Sequence, residues 1–562
     1  MVLQKRTKVE ALVIFLLLVA LAVGSVYGVS LTLNSRGTRP SNGYSNPEYI
    51  WNSNGQFWPA SAENLQASLD LGGVTYFPAT TLSTNATILL PSDCALVGYG
   101  QQSILKAGSQ LQGSSVVKNA NQTNRNVSIQ NLAVDGSDTD HATSQYGIEF
   151  VNVSYGSVSG VLVKDTGKDG VRGVACDHTS FTHITTTNTG HHAVMFSYGS
   201  SYCEMSDLLI VSPHTESAIV EHANAYTGER NHDITVSNVV TRDCGQFGVY
   251  LGDCDHVTLA NCISERSAGE GLIITDATQV SVSNFQTADN TLGAGIKVNS
   301  TASGIELTNC QVTSPGQSSS FAYQLLGTNI ILSNSQSWNS QAPLYFNNTY
   351  SHNITVSHCR FQNYSNYVIL RGADVAIDAC AFMQPTTTLP FVINIDVPAV
   401  RARVEGNDFT SCPVSSRRVN DGSTTGAIIR DNIGFETDYF MRNAGTVTIG
   451  LSNVYGTALT IAPASHHIIG PPVVQLRELG TVSPSETITL KFEAVYASGY
   501  TVNITKTHTA SSYNYTLSPS DWISLAHPGQ YYNETMVKLN VYAKTNQASS
   551  SASEKLYVVQ MG

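Results

Sequence analysis

Charged residues are scarce in this sequence of 562 residues. Asp, Glu, Lys and Arg make up 12% of the chain, about half of the usual share of roughly 25%. The 29 Lys and Arg residues are outnumbered by 41 Asp and Glu residues, which gives a net charge of −12. An acidic chain with so few cations cannot cover a phosphate backbone, so we expect no nucleic-acid partner.

Long stretches rich in Ala, Glu, Lys and Leu are also missing, which excludes coiled coils and helical bundles. The sequence has no Cys-x-x-Cys pair and no Cys/His spacing typical of zinc ligands. Ser, Thr, Asn and Gly are abundant instead, interleaved with Val, Ile and Tyr. The hydrophobic share of 41% is enough for a sizeable core. This composition is typical of an extracellular all-β protein.

One apolar run of this sequence approaches the length of a membrane span, and it lies at the N-terminus. Basic residues within positions 5–8 precede an apolar segment from Ala11 to Val23. This order is typical of a secretory signal peptide, and an uncleaved membrane anchor is the alternative. We therefore interpret residues 1–30 as a signal peptide or an N-terminal membrane anchor, followed by a linker over residues 31–56. Either interpretation predicts an extracellular or cell-surface protein that contacts a membrane only through such an anchor.

Asn-x-Ser/Thr sequons are frequent, which fits export. The sequence contains eleven of them, at Asn85, Asn121, Asn126, Asn152, Asn299, Asn347, Asn353, Asn363, Asn503, Asn514 and Asn533. We predict them as candidate glycosylation sites, because this tripeptide is the acceptor for N-glycosylation in exported proteins.

A short motif of alternating apolar and polar residues recurs along the chain and predicts the fold. Val127-Ser-Ile-Gln-Asn131 and Ile234-Thr-Val-Ser-Asn238 are two of its copies. The second apolar residue of each copy, the anchor, recurs every 25 residues on average. The thirteen anchors are Ile129, Val158, Phe181, Met205, Val236, Leu259, Val282, Leu307, Leu332, Val356, Ile377, Val404 and Ile429. Alternation with period two predicts strands, and so short a turn buries its apolar face only by stacking on its neighbours. The repeat therefore predicts an all-β parallel β-helix of about 13 or more rungs, spaced ~4.8 Å apart.

Two positions after the anchor, the repeat places a column of asparagines. Its members are Asn131, Asn238, Asn261, Asn284, Asn309 and Asn334. Asn suits a tight turn and hydrogen bonds with Asn in the turns above and below. The next position is buried in this register and includes Cys262, Cys310, Cys359 and Cys380. Ten cysteines in an exported chain allow disulfides, but this register favours buried free thiols for these four.

The asparagine column resembles the asparagine ladder of the pectate-lyase-like superfamily of right-handed β-helices. The segment Ala62–Pro78, an amphipathic stretch that ends in Gly-Gly-Val-Thr-Tyr-Phe-Pro, is similar to the N-terminal cap of the pectate-lyase-3 type. Ile88–Gly100 and Ser103–Lys106 are similar to the first rungs of that type. The resemblance implies a right-handed parallel β-helix with an N-terminal cap over residues 57–440, and a carbohydrate-facing protein.

The sequence also departs from that superfamily. The usual Gly-Asp-Gly…Asp-Asp-Thr lead-in is absent, and Pro78-Ala-Thr-Thr-Leu82 replaces the usual Pro-x-Gly-x-Tyr. Lyases, hydrolases, epimerases and tailspike-like depolymerases share this fold, so the fold alone does not choose among them. Polygalacturonase is excluded, because the sequence has no Asp-Asp pair, and the Trp-Ile-Asp-His motif of pectate lyases is absent too.

The repeat vanishes after Gly445. Residues 445–562 contain strand-like runs such as Thr487–Tyr496, separated by turns rich in Pro, Gly and Ser. This pattern predicts a small β-sandwich of the Ig-like type. Such a module would also cover the end of the solenoid, which otherwise exposes unpaired strand edges.

Ionisable side chains are concentrated between residues 165 and 270. Asp169 and His192 stand just before the second strand of consecutive turns, with Glu216 beside them. We predict these three as catalytic residues, because a glycosidase needs two carboxylates and a lyase needs a base. The candidate substrate-binding residues around them are Tyr146, Lys168, Arg172, His191, Phe247, Tyr250 and Glu270.

These observations predict a secreted or surface-tethered enzyme that cleaves glycosidic bonds of a polysaccharide on a groove of the β-helix. We slightly favour a hydrolase, which requires no cofactor, over a lyase. A lyase can use Ca²⁺, held by Asp and Glu, to neutralise a uronate carboxylate. The alternative is a non-catalytic adhesin or envelope protein whose β-helix is a stalk that binds a surface glycan.

Overall fold

The structure is a computed structural model of the chain. It describes residues 49–111, 113–215, 218–221, 228–315, 321–347, 350–386, 389, 391–396, 398–412, 417–421, 427–430, 432–433, 441–447, 459–461, 473–479, 487–509, 514–516, 524–525, 536–545 and 553–559. Across these ranges, no helix is long and apolar enough to cross a membrane. The predicted signal peptide or anchor lies outside the described residues.

An N-terminal cap precedes the solenoid. It begins with the strand Tyr49–Asn52, inside the segment that we predicted to be a linker. This strand pairs antiparallel with Phe57–Pro59 and with the first strand of the solenoid. The helix Ala62–Asp70 follows, and the hydroxyl of Ser61 accepts a hydrogen bond from the backbone N–H of Asn64 in its first turn. The amphipathic segment expected from the resemblance is therefore a capped helix.

The solenoid is built from three stacks of short parallel strands, which we call sheets A, B and C in the order in which the chain visits them. The strands of sheet A are Gly73–Tyr76, Cys94–Val97, Val127–Gln130, Ser157–Ser159, Ser180–Thr182, Glu204–Val211, Asn231–Arg242, Val249–Ala260, Leu272–Ser283, Ser303–Thr308, Thr328–Ser333, His352–Ser357, Ala373–Asp378, Arg403–Glu405 and Ile428–Arg430. Those of sheet B are Thr81–Thr84, Ile104–Ala107, Ala133–Asp135, Leu162–Thr166, Thr185–Thr189, Ile263–Glu265, Gln286–Ala288, Gln311–Thr313, Gln336–Trp338, Arg360–Gln362 and Ala381–Met383. Those of sheet C are Ile88–Leu90, Ser115–Asn119, Tyr146–Val151, Val171–Val174, Val194–Ser197, Ala218–Glu221, Ile296–Val298, Phe321–Leu325, Ala342–Tyr345, Val368–Leu370, Phe391–Ile395, Arg417–Asp421 and Met441–Val447.

Four long strands bend from one sheet into another. Glu204–Val211 and Asn231–Arg242 continue from sheet A into sheet B. Val249–Ala260 and Leu272–Ser283 continue from sheet C into sheet A. A separate short pair, Asn124–Arg125 with Val153–Ser154, lies outside the three sheets.

The predicted register of the repeat is confirmed in sheet A. Each anchor pairs with the next one along the chain, for example Ile129 with Val158 and Leu307 with Leu332. All anchors are fully buried except the last, Ile429, which is partly buried against the same core. The side chains that alternate with them point outward, so the core is a continuous apolar column inside the three sheets.

The asparagine column is confirmed as a ladder at the corner between sheets A and B. Its residues adopt left-handed backbone conformations, such as φ +55° at Asn261 and +54° at Asn284. Asn and Asp accept this conformation more readily than other non-glycine residues. The amide of Asn284 donates to Oδ1 of Asn261 over 2.9 Å, and Asn238 donates in the same way to Asp207. The ladder therefore ties neighbouring turns together where the strands are interrupted.

The cysteines are buried free thiols. This was predicted for Cys262, Cys310, Cys359 and Cys380, and the structure extends it to all ten. Burial raises the pKa of Cys176 to about 12, so this thiol stays protonated and unreactive at neutral pH. The cysteines fill the core as small apolar residues.

The described strands of the C-terminal part form two antiparallel groups. Met441–Val447, the last strand of sheet C, pairs antiparallel with Ser553–Val559, which in turn pairs with Val473–Leu479; Asn514–Thr516 lies at the edge of this group. A second sheet has the strand order Leu459–Ile461, Met536–Thr545, Thr487–Tyr496 and Thr501–Thr509. The first group continues sheet C through the pairing of Met441–Val447 with Ser553–Val559. The Ig-like sandwich and the covering of the solenoid end stay predictions.

Candidate functional site

The candidate site lies where the chain turns from sheet B into sheet C. Asp169 and His192 each stand two residues before a strand of sheet C, and the pairing of Val171 with Val194 places them one turn apart. Position 190, next to the histidines, requires glycine. A Cβ atom there would lie 2.3 Å from the carbonyl oxygen of Gly167 in the preceding turn. The turns therefore stack closely enough for side chains of neighbouring turns to touch.

The carboxylate of Asp169 is the centre of the site. Asp169 is only 2% exposed. Its Oδ1 atom lies 3.1 Å from Nδ1 of His191 and accepts the backbone N–H of His192 over 3.2 Å, while Oδ2 lies 3.8 Å from Nε of Arg172. Burial by itself raises the pKa of Asp169, but the hydrogen bond with His191 and the nearby cationic groups outweigh it, so this pKa is lowered. Asp169 is therefore an ionised carboxylate.

The two histidines differ in exposure. His192 is 3% exposed, whereas the side chain of His191 is 50% exposed, and their ring centroids are 3.6 Å apart. Because the ionised Asp169 only accepts hydrogen bonds, Nδ1 of His191 must carry the proton of their contact, which leaves Nε2 as the basic nitrogen of the neutral ring. We assigned catalysis to His192 and substrate binding to His191 from the sequence, and the exposures suit the reverse assignment.

Two cations and a phenol lie next to this pair. The ammonium group of Lys168 is 3.3 Å from the hydroxyl of Tyr146 and 5.3 Å from its ring centroid. The guanidinium group of Arg172 lies 5.2 Å from the same ring and 5.8 Å from the ring of Tyr198. The predicted residues Lys168 and Arg172 therefore meet at the ring of Tyr146, and Arg172 also lies beside the carboxylate of Asp169.

The outward side chains of sheet C are covered beside the site. Glu149, Arg172 and Met195 occupy consecutive turns of one outward column. Although this column points away from the core, Glu149 is only 9% exposed and Met195 only 2%. Glu149 is paired with Lys118 over 2.9 Å. The site thus lies next to a column of outward side chains that their neighbours shield from solvent.

The other predicted residues lie further along the solenoid or outside the described residues. Phe247 and Tyr250, whose ring centroids are 5.8 Å apart, are three turns beyond Asp169, which corresponds to about 14 Å. Glu270 is one turn further and forms an ion pair with Lys297 over 3.2 Å. Glu216, the second predicted catalytic carboxylate, lies outside the described residues.

Sequence analysis missed a loop that closes over the turns of the site. Within it, Asp138 accepts hydrogen bonds from Ala142 and Thr143, and the His141 ring lies 2.9 Å from the carbonyl oxygen of Thr166 and 3.1 Å from Oδ1 of Asn188. The step between the anchors Ile129 and Val158 is 29 residues, against an average of 25, and this extra length was the signal of the loop.

The described sequons lie on the surface. Those with an exposed asparagine are Asn85, Asn121, Asn126, Asn152, Asn353 and Asn503, and those with a half-buried one are Asn299, Asn347 and Asn363. The side chain of Asn514 and the whole of Asn533 lie outside what the structure describes. Glycosylation stays a prediction.

Comparison with known proteins decides the handedness of the solenoid. Residues 175–335 and 219–382 match the family described as "Right handed beta helix region". The chain carries a right-handed β-helix. This confirms the fold class and the resemblance predicted from the sequence.

Solved structures of other right-handed β-helix proteins are similar to this chain. The tailspike protein of E. coli bacteriophage HK620, in complex with a pentasaccharide, has a TM-score of 0.50 at 10% identity, with 89% of each chain covered. The A-module of mannuronan C-5 epimerase AlgE4 from Azotobacter vinelandii has a TM-score of 0.42 at 12% identity, with 66% of this chain and 93% of that one covered. The DFA-IIIase from Arthrobacter chlorophenolicus A6 has a TM-score of 0.40 at 12% identity, with 52% and 87% covered. No curated protein matches the sequence.

The charge state of Asp169 predicts a change in the stability of the β-helix protein with pH. Because the pKa of Asp169 is lowered from 3.8 in the folded state, the unfolded chain binds this proton more tightly. The stabilisation that ionised Asp169 contributes is complete above the pKa that this residue has in the unfolded chain. It is lost as the pH falls through the pKa of Asp169 in the folded protein. As the pH is lowered from about 5 to about 2, we expect the free energy of unfolding to fall less for Asp169→Asn than for the wild type. Urea unfolding at several pH values measures the free energy of unfolding. The same dependence of this free energy on pH in both proteins would contradict the prediction.

Proposed function

We propose that the β-helix protein acts on an acidic polysaccharide by removing a proton from a uronate residue, as a lyase or an epimerase. The observation that carries this proposal is the His191–Asp169 pair, with its basic Nε2 atom on the exposed side and two cations beside it. A histidine held by a buried carboxylate is an efficient general base. The outward face of sheet C offers a binding surface for a chain that crosses the turns.

The charge state of Asp169 favours this chemistry over the hydrolysis that we favoured from the sequence. A glycosidase needs one carboxyl group with a raised pKa that protonates the leaving oxygen. The pKa of Asp169 is lowered, so this residue does not provide the acid. The same ionised carboxylate instead orients His191 and stabilises the imidazolium that forms when the base takes up a proton.

In the proposed reaction, the substrate carboxylate binds the cationic groups of Arg172 and Lys168, which makes the proton on the adjacent C5 atom more acidic. Nε2 of His191 takes this proton. In a lyase the released electron pair forms the C4–C5 double bond, the C4–O bond breaks, and the leaving oxygen receives a proton from the hydroxyl of Tyr146. In an epimerase C5 instead takes the proton of the Tyr146 hydroxyl on its opposite face, and the proton held by His191 is returned to the phenolate through solvent. The Ca²⁺ ion considered for a lyase is not required here, because Arg172 and Lys168 supply the positive charge.

The tailspike protein that shares this fold is in complex with a pentasaccharide, which agrees with a carbohydrate partner. Phe247 and Tyr250, three turns or about 14 Å along sheet C from Asp169, suit stacking on sugar rings of the same polymer chain.

The experiment that tests the proposal incubates the full-length protein in D₂O with alginate, polygalacturonate and glucuronan, and with neutral glucan and xylan as controls. Proton NMR follows deuterium at C5, ultraviolet absorbance follows the conjugated double bond, and a reducing-sugar assay follows chain cleavage. We expect deuterium exchange or absorbance with at least one uronate polymer and none with the neutral polymers. New reducing ends without either signal would show a hydrolase. Glycan binding without any reaction would show the adhesin. Both results would overturn the proposal.

A further inference from the structure

The side chains of Asp169, His191 and His192 meet in a way that suits a metal ion. One ligand atom from each residue, an imidazole nitrogen or a carboxylate oxygen, lies within 4.8 Å of the others. Two imidazoles and one carboxylate are a ligand set that binds divalent transition metals such as Zn²⁺ and Co²⁺. Within the part of the chain that the structure describes, this is the one group of three such residues that meets this spacing.

The distances within the group fit metal coordination. Nδ1 of His191 and Oδ1 of Asp169 are 3.1 Å apart. Ligand atoms that lie ~2.0–2.1 Å from an ion are ~2.8–3.0 Å from one another in octahedral coordination and ~3.3–3.4 Å in tetrahedral coordination. An ion can therefore replace the proton that this nitrogen and oxygen share, with little movement of either side chain. The ring of His192 follows directly in the chain, with its centroid 3.6 Å from that of His191.

The group is also held in place before any ion binds. The backbone N–H of His192 donates to the Asp169 carboxylate over 3.2 Å, and both residues are almost completely buried. Arg172 lies on the side of the other carboxylate oxygen, Oδ2, and leaves Oδ1 directed at the histidines. Its positive charge opposes a second cation, so we expect weaker binding than at a structural zinc site.

The His–Asp contact alone is not what distinguishes this group. His178 and Asp177 lie 2.9 Å apart, as do His232 and Asp233, and both pairs are on the surface. Each of these pairs offers one imidazole and one carboxylate, which is two ligands rather than three. They are matched controls for the effect of a second histidine.

We propose that Asp169, His191 and His192 form a binding site for one divalent transition-metal ion, and that this ion switches off the base. A neutral imidazole that binds a metal through Nδ1 keeps its proton on Nε2, so His191 can then accept no proton from a substrate. The binding of the ion depends only on the three side chains. The loss of activity rests on the proposed function.

Binding is tested without substrate. Full-length protein, freed of metal with EDTA and dialysed, is titrated with CoCl₂ while the visible absorption of protein-bound Co²⁺ is recorded, and with ZnCl₂ by calorimetry. We expect one ion per chain. We expect His191→Ala and His192→Ala each to weaken Zn²⁺ binding by more than roughly 100-fold, because each removes one of three ligands. The control His178→Ala should bind Zn²⁺ like the wild type.

Two results would overturn the site: no saturable binding by the folded wild type, or binding that both variants retain in full. His191 is half-exposed, so its replacement tests the site even if His192→Ala fails to fold, and circular dichroism distinguishes the two cases. If Zn²⁺ binds as expected but the turnover of a uronate polymer is unchanged, the switching role is wrong and the site stands. If no polymer reacts at all, the proposed function fails and the titration still decides the site.

Discussion

Replacing His191 by alanine should lower the rate of C5 proton removal by ~10²–10⁴-fold, which is the usual contribution of a positioned general base. The two residues of the pair have different roles: Asp169 is buried and ionised, whereas His191 is half-exposed and contacts Asp169 through Nδ1, so that Nε2 remains as the basic nitrogen. The loss should appear in kcat more than in KM, because Arg172 and Lys168 remain to bind the uronate carboxylate. On the polymer that the wild type accepts, NMR of deuterium at C5 gives the rate for an epimerase, and the absorbance of the new double bond gives it for a lyase.

The control for this variant is His178→Ala, which removes another partly exposed histidine with a carboxylate partner at 2.9 Å. It should keep the wild-type rate. Added imidazole should restore part of the activity of His191→Ala, since the small base can enter the space left by the ring, and a merely structural role would give no such rescue. Full activity of His191→Ala would contradict the assignment of the base.

Replacing Phe181 by alanine should destabilise the solenoid by ~3–5 kcal/mol, the usual cost of removing a buried phenylalanine ring. Phe181 is an anchor with no exposed surface. Its ring lies parallel to that of Phe196 at 4.3 Å and tilted towards that of Phe150 at 6.2 Å. The neighbouring Gly173 has no side chain that could move into the cavity left by the ring. A larger residue does not fit there either, because a Cβ atom on Gly173 would lie 2.5 Å from the ring of Phe196.

Urea unfolding measures this loss, with Leu292→Ala as the control. Leu292 is 65% exposed, so its truncation should change the free energy of unfolding by less than about 0.5 kcal/mol. Each turn contacts mainly its neighbours, and hydrogen exchange should therefore show the largest loss of protection in the turns on either side of Phe181. Equal effects of the two substitutions would show that the ring cluster does not support the core.

The sequence predicts the fold better than the site, for physical reasons that particular residues show. The anchors follow period-two alternation, and burial of each apolar column permits one register, so the pairing of Ile129 with Val158 follows from spacing alone. The sequence also predicts the asparagine ladder, because few residues accept the left-handed backbone conformation that Asn261 and Asn284 adopt at the corner.

The site lies in turns, where no periodicity fixes which side chains are buried. His191 and His192 are neighbours in the sequence, and nothing in the sequence pattern says that the first is half-exposed and the second buried. A single motif does not encode contacts between turns. The ion pair of Glu270 with Lys297 and the position of the loop around His141 are therefore not predicted from the sequence.

The pairing of Met441–Val447 with Ser553–Val559 has a consequence for the order of events during synthesis. A growing chain can add its turns one after another from the N-terminal cap, because each needs only the turn before it. The strand Met441–Val447 is different, since its partner strand Ser553–Val559 is made about a hundred residues later. Until that strand is released, the newest edge stays available to any other strand, including one from a second nascent chain. We therefore expect a chain that is truncated before Ser553 to aggregate, although the turns of its solenoid are already formed.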